Sequence, residues 1–254
     1  MNTNNIYDKV INNLKQLRLQ QMEIHLDETI KDITKNNLPF IDGIYKLTNY
    51  EIEMQETNCS NALIKAAAFP FRKELKEFDF SFQPSIKESD IKDMLTLHFM
   101  SNAENIIFLG SSGVGKTHLA TTIGIEAAKN RYSTYFIKCN ELLQQLRRAK
   151  SENRLDIRLR HFKKYKLLII DEVGYLPIDK DDANIFFQLI DMRYEQRSTI
   201  ITTNINFDDW GTLFKDEMVA SAILDRLLHH SRIISISGNS YRLKDHIKSK
   251  ENCA

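Results

Sequence analysis

Gly110-Ser111-Ser112-Gly113-Val114-Gly115-Lys116-Thr117 sets a lysine and a hydroxyl directly after a glycine-rich turn, the spacing of a phosphate-binding loop. Glycines allow backbone N–H groups to converge on phosphate oxygens, and a helix starting at the loop adds partial positive charge. Lys116 is then expected to reach the β- and γ-phosphates of a nucleotide, and the Thr117 hydroxyl to bind Mg²⁺. His118, in the first turn of that helix, is expected to touch the nucleotide through its backbone.

A second group of residues completes this chemistry. Leu167-Leu168-Ile169-Ile170-Asp171-Glu172 is an apolar strand ending in two carboxylates, with Asp171 suited to hold Mg²⁺ through water and Glu172 suited to polarise an attacking water. A kinase passes phosphate to a hydroxyl and has no need of a water-activating Glu there. A GTPase normally carries an Asn-Lys-x-Asp guanine reader, which this sequence lacks. Hydrolysis of ATP is therefore the expected reaction. Asn204, closing the run Thr199–Thr203, is placed for a third role near the γ-phosphate, or else simply starts a turn. Arg226 lies on the flank of an apolar helix face formed by Val219, Ala220, Ile223, Leu224, Leu227 and Leu228. From there it either completes a neighbouring subunit's site as an arginine finger or pairs with Asp225 or another nearby acid.

These residues need elements to position them. Ile106–Leu109 reads as a buried strand before the loop, and Leu119, Ile123 and Ala127 mark one face of the helix after it. Thr134–Lys138, Leu167–Asp171, Ser198–Thr203 and Arg232–Ser237 are further strands. Glu141–Lys150, Arg154–Lys164, Ala183–Glu195 and Met218–His229 are helices between them, the third with Ala183, Phe187, Ile190 and Tyr194 as its buried face. Trp210 and the pair Phe186 and Phe187 are expected in the core. This alternation predicts an α/β fold with a parallel sheet covered on both faces.

Upstream, apolar residues at three- and four-residue intervals predict one helix over 6–33, broken at Asn36-Asn37-Leu38-Pro39. The expected division is a helical N-terminal domain (1–76), a linker (77–104), the nucleotide-binding domain (105–247) and a tail (248–254). Phe78, Phe80 and Phe82 in the linker either form a short strand or anchor it onto the following domain.

A net charge of +1 implies no global attraction to nucleic acid, so any basic surface must be local. Cys59, Cys139 and Cys253 lie far apart, which fits a reducing compartment rather than a disulfide framework. With no signal-peptide core and no apolar run of membrane-spanning length, a cytoplasmic protein is expected.

The chain resembles the IstB family, helper ATPases encoded beside the transposase in a two-gene class of bacterial insertion sequences. The resemblance rests on Phe78-Asp79-Phe80-Ser81-Phe82-Gln83-Pro84-Ser85, Gly115-Lys116-Thr117-His118-Leu119-Ala120 and Asp171-Glu172-Val173-Gly174-Tyr175-Leu176-Pro177. Ala222-Ile223-Leu224-Asp225-Arg226-Leu227-Leu228-His229 and Ser240-Tyr241-Arg242-Leu243-Lys244 add to it. It implies the AAA+ three-layer P-loop sandwich of the DnaC and DnaA branch, without the usual C-terminal lid. It further implies Asn204 as the sensor-1 residue and Arg226 as the trans-acting finger, and leaves open whether Arg242 stands in for the sensor-2 arginine. ATP and Mg²⁺, duplex DNA, a cognate transposase and further copies of the chain are the implied ligands and partners. A DnaC-like helicase loader is the alternative.

The segment from Glu141 to Lys164 resembles the extra helix–loop–helix of that branch and carries the local basic cluster. Arg147, Arg148, Lys150, Arg154, Arg158, Arg160, Lys163, Lys164 and Lys166 are opposed between Arg147 and Lys166 by Glu152 and Asp156 only. Such a cluster is either a solvated face or a phosphate-backbone contact, and the family's assembly on duplex DNA favours the second. Lys9, Lys15 and Arg18 are a second basic candidate. His25, His98, His161, His229, His230 and His246 show no metal-ligand spacing and read as surface or packing residues.

Overall fold

The computed structural model describes residues 3–241, which form two compact units meeting at Ala62 and Leu63. Arg242, His246 and Cys253 lie outside the described residues.

The first unit holds α1 (Thr3–Gln16), α2 (Gln20–Asn36) and most of α3 (Phe40–Ala66). The single helix expected over 6–33 is therefore two. Arg18 turns left-handed (φ 60°), and Leu19 N–H closes the end of α1 on Leu14 O at 2.9 Å. The apolar spacing of three and four slips to two between Leu17 and Leu19, at this break. Leu19 offers α2 no side-chain cap; the buried Glu51 of α3 instead accepts from Gln21 N–H at 2.9 Å. A carboxylate there complements the positive end of the helix. α2 ends where the sequence indicated, with Asn37 left-handed and its N–H on Ile33 O.

The second unit is built on five parallel strands in the order β2-β3-β4-β1-β5. They are β1 (Asn105–Gly110), β2 (Thr134–Lys138), β3 (Leu167–Val173), β4 (Ser198–Thr203) and β5 (Ser231–Ile236). Alternate residues build two separate cores. Ile106, Phe108, Leu167, Ile169 and Ile200 face one layer, with α4 (Glu88–Leu95), α5 (His98–Ser101) and α6 (Lys116–Lys129). Ile107, Leu168, Ile170 and Ile201 face the other, with α7 (Cys139–Ser151), α8 (Leu155–Lys163), α9 (Lys180–Arg193), α10 (Trp210–Phe214) and α11 (Glu217–Leu228). The result is an α/β three-layer sandwich with the near-continuous apolar strands that burial on both faces requires.

The segment expected as a linker, 77–104, contributes to this core. Ile91, Met94 and Phe99 on α4 and α5 are buried against the β1 side of the sheet. Phe78 is an anchor: its ring lies over the phosphate loop, where a Cβ on Gly115 would meet Phe78 Cε2 at 2.4 Å. Trp210 and Phe186 are fully buried as expected, whereas Phe187 is only partly buried. On α9 the neighbours Phe186, Leu189 and Arg193 take the interior positions.

Among the described residues Arg193 has no carboxylate partner in its interior site. Its guanidinium donates to the carbonyls of Phe162, Tyr165 and Ser198 and to Thr199 Oγ1, which fastens the end of α8 to β4. Burial lowers its pKa to about 9, leaving it protonated at neutral pH. Cys139 is also buried, its thiol pushed up to about 12, and is chemically quiet.

Candidate functional site

β4 lies between β1 and β3, so the carboxyl ends of these three strands bring the phosphate loop, the acidic pair and Asn204 to one edge of the sheet. Ligands of open parallel sheets sit outside such ends. The loop from Gly110 to Gly115 leaves β1 and becomes the N-terminus of α6 at Lys116. Gly113 (φ 82°) and Gly115 (φ 104°) adopt left-handed backbone, and a Cβ on Gly113 would fall 2.0 Å from Ser240 Oγ. Only glycine allows the chain to turn there so closely packed. Tyr241 N–H donates to Gly113 O at 2.9 Å and holds the loop from outside. Lys116 Nζ donates to Gly110 O and Ser111 O, each at 2.7 Å, so the ammonium lies across the loop mouth.

Thr117, Asp171, Thr202 and Glu172 form one hydrogen-bonded chain. Thr117 Oγ1 donates to Asp171 Oδ1 at 2.9 Å, and Thr202 Oγ1 donates to the same oxygen at 2.6 Å. Thr202 Oγ1 in turn accepts from Glu172 N–H at 2.9 Å. Asp171 is almost fully buried, and burial raises its pKa, opposed by the two hydroxyls. A buried carboxylate beside a threonine hydroxyl is a hard-oxygen donor pair of the kind Mg²⁺ prefers, so the residues present fit that ion. The glycine cradle and Lys116 fit a polyphosphate equally well.

The pairing register shifts between Ile170 and Val173, and Glu172 adopts left-handed backbone (φ 60°). This irregularity turns Glu172 away from the strand and leaves its side chain 39% exposed, 3.0 Å from Lys138 Nζ. The pair holds the Lys138 ammonium in its charged form. A cleft of about 280 Å³ opens here, lined by Lys138, Glu141, Arg147, Glu172, Tyr175 and Asp182.

His118 packs its ring edge-on to Phe78 with centroids 5.5 Å apart, and burial lowers its pKa. Ser111 and Ser112 are exposed on the loop, and Val114 is buried beneath it. Asn204 is exposed just past β4. Arg226 is not brought to the loop. It pairs with Asp191 of α9, donates to Ala222 O at 3.2 Å and covers the Phe187 ring at 4.6 Å.

Three features escaped the sequence reading. Lys138 sits opposite Asp171 in the β2–β3 register, so its place at a strand end was the available signal. Thr202 had no signal beyond its position in β4. The basic segment is opposed by more than Glu152 and Asp156. Arg147 pairs with Asp182, and Lys150 Nζ lies 3.4 Å from Asp181, both acids being at the start of α9. Arg148 and Arg154 both reach Glu152. Arg160, Lys164 and Lys166 remain exposed, with no carboxylate pairing them among the described residues. In the first unit, Lys15 pairs with Glu23 at 3.5 Å, while Lys9 and Arg18 are exposed. No described helix is long and apolar enough to cross a membrane.

The solved structure of AMPPCP-bound DnaA from Aquifex aeolicus is similar to this fold, with a TM-score of 0.56 and 19% identity over 72% of this chain and 56% of that one. The DnaC helicase loader is similar with a TM-score of 0.51 and 24% identity over 59% of this chain and 87% of the other. At such identity the likeness shows a shared AAA+ P-loop fold. Sequence relatives are much nearer. The protein named for ATP binding in insertion sequence IS232 of Bacillus thuringiensis subsp. berliner is 60% identical over 248 residues, covering 98% of this chain and 99% of that one. The family described as IstB-like ATP binding protein matches residues 12–249. With that match spanning both units, the chain belongs to the IstB-like ATP-binding protein family.

Proposed function

We propose that this protein is a Mg²⁺-dependent ATPase that assembles as an oligomer on duplex DNA and serves an insertion-sequence transposase. The observation that carries the reading is the hydrogen-bonded chain Thr117–Asp171–Thr202–Glu172 beside the phosphate loop. It joins the pair suited to hold the metal to the backbone N–H of Glu172, the residue suited to activate water, through a single threonine.

The triphosphate lies along the loop, its oxygens accepting from backbone N–H groups at the N-terminus of α6. Lys116 Nζ exchanges the carbonyls of Gly110 and Ser111 for β- and γ-phosphate oxygens. Thr117 Oγ1 and Asp171 would hold Mg²⁺, which would neutralise charge building on those oxygens. Glu172 turns from Lys138 and accepts a proton from water as the water oxygen bonds to the γ-phosphorus. The bond to the β–γ bridging oxygen breaks, ADP leaves, and the proton passes to the released phosphate. Asn204 orients the water or the γ-phosphate from the end of β4. Arg226 acts in a neighbouring subunit's site, which requires it to leave Asp191.

Arg160, Lys164 and Lys166 offer unpaired charge for a phosphate backbone, a contact without base reading. The relative from IS232 is named for an insertion sequence, which supports a transposase as the protein partner. The deciding experiment is ATP turnover with and without duplex DNA, with particle size read by light scattering in the same samples. DNA-stimulated turnover with ATP-dependent growth into large particles is expected. Turnover from a persistent monomer indifferent to DNA would overturn the DNA and oligomer parts of the reading and favour a helicase-loading role.

A further inference from the structure

We infer that Glu195, His229 and His230 form a binding site for a transition-metal ion such as Zn²⁺, at the place where the ends of α9 and α11 meet. One ligand atom from each residue lies within 4.8 Å of the other two. His229 Nδ1 stands 3.7 Å and His230 Nε2 3.5 Å from the same carboxylate oxygen, Glu195 Oε1. Bonds of about 2.1 Å from a tetrahedral Zn²⁺ place neighbouring donors about 3.4 Å apart, so these three atoms need move little to share one ion. A simple ion pair needs one imidazole at that oxygen, not two.

The donor set decides the class of ion. Two imidazoles and one carboxylate suit Zn²⁺, Cu²⁺ or Ni²⁺, whereas Mg²⁺ and Ca²⁺ take oxygen donors. The site is therefore chemically distinct from the Thr117–Asp171 pair. Its electrostatics favour a cation from a second direction. α9 closes at Tyr194, just before Glu195, and α11 closes at His229, so two helix C-termini with their partial negative charge converge there. Tyr194 hydroxyl lies 2.6 Å from His229 Nδ1, with Glu195 next to it in the chain. With the imidazole nitrogen committed to metal, that hydroxyl donates to the carboxylate and orients it, the usual outer support of a metal ligand. All three ligand side chains are about half exposed, which leaves coordination positions for water or for a group from another molecule. The ion would fasten α11 to α9 one turn beyond the Arg226–Asp191 pair, and so stiffen the helix that carries Arg226.

The test uses untagged full-length protein without nucleotide, Zn²⁺ as the probe, and competition with a chromogenic chelator. The wild type is expected to take one Zn²⁺ per chain at this site. Glu195→Gln and His230→Ala should each weaken binding ~100-fold or more, and Tyr194→Phe ~10-fold, as loss of an outer support does. His98→Ala and Cys59→Ser, which remove other exposed donors, should bind as the wild type does. Thermal melts followed by circular dichroism confirm folding, and the near-isosteric Glu195→Gln keeps the test valid if His230→Ala does not fold. Wild-type protein that takes up no Zn²⁺, or a folded Glu195→Gln variant that retains full affinity, would overturn the assignment.

Discussion

The carboxyl ends of β1, β3 and β4 and the seam between α9 and α11 both carry acids, hydroxyls and cations, yet they are built differently. At the strand ends Asp171 is buried and receives two hydroxyl hydrogen bonds, and Glu172 is fixed by its own backbone N–H. Neighbouring parallel strands set Asp171, Glu172 and Thr202, and the start of α6 sets Thr117. At the seam, Arg226 and Asp191 are side chains from two helix surfaces, 27% and 49% exposed, that satisfy each other. The first region is poised for a ligand, whereas the Arg226–Asp191 pair of the second is closed on itself. Opening it takes a competitor for the guanidinium, and the phosphate of a neighbouring subunit's nucleotide is the competitor our functional reading supplies.

The largest effect that can break this comparison is on turnover. Arg226→Ala should lower ATP hydrolysis about 1,000-fold while each chain still binds nucleotide. Mixing it with Lys116→Ala should restore part of the activity, because each variant supplies what the other lacks. Steady-state phosphate release from the mixture is the readout, and no recovery would make Arg226 a residue of its own chain's α9–α11 seam only. Glu172→Gln comes next, with a loss of about 100- to 1,000-fold in turnover and unchanged nucleotide affinity. Single-turnover kinetics beside equilibrium binding separate the two; normal hydrolysis would remove Glu172 from the role of base. Lys116→Ala alone should weaken nucleotide binding roughly 10- to 100-fold, the worth of one charge-assisted hydrogen bond of about 1.5–3 kcal/mol. Titration with a fluorescent ATP analogue measures it.

The smallest effect sharpens the contrast most. Burial raises the Asp171 pKa, so the folded protein takes up a proton there more readily than the unfolded chain. The stability of the protonated form is lost as pH rises through that raised value. Asp171→Asn keeps an oxygen for the two threonine hydroxyls and removes the buried charge. Its melting temperature without Mg²⁺ should therefore exceed the wild type's at neutral pH, with the gap closing in acid. Equal melting temperatures at both pH values would mean that ionised Asp171 is not strained at this site.

The strand ends were also far more legible in the sequence than the seam. Burial on both faces forces near-continuous apolar runs, so β1, β3 and β4 declared themselves, and the residues at their ends came with them. The loop was legible because its glycines answer a local backbone demand. The Arg226–Asp191 and Arg147–Asp182 pairs were not, since each joins residues thirty-five positions apart on helices whose mutual rotation no local pattern records. The break at Arg18 was missed for another reason: it lies where the apolar spacing slips to two, from Leu17 to Leu19, in a turn that contains neither glycine nor proline to flag it. α4 and α5 were lost because a short helix needs packing partners to exist, and those partners belong to the sheet.

Glu172 alone among the acids of this site holds a backbone conformation that suits another residue better. Left-handed φ at a long side chain costs about 1 kcal/mol, which Gly would avoid entirely and Asn in part. Selection for the turnover we propose therefore works here against a standing bias. A lineage released from the need to hydrolyse ATP has a downhill substitution open at this position, one that firms the fold as it removes the chemistry. Among descendants, loss of this acid should come early, while the glycines and Lys116 that we propose bind nucleotide persist. The backbone angle at one residue thus sets the order in which such a protein would decay into a switch that binds and does not turn over.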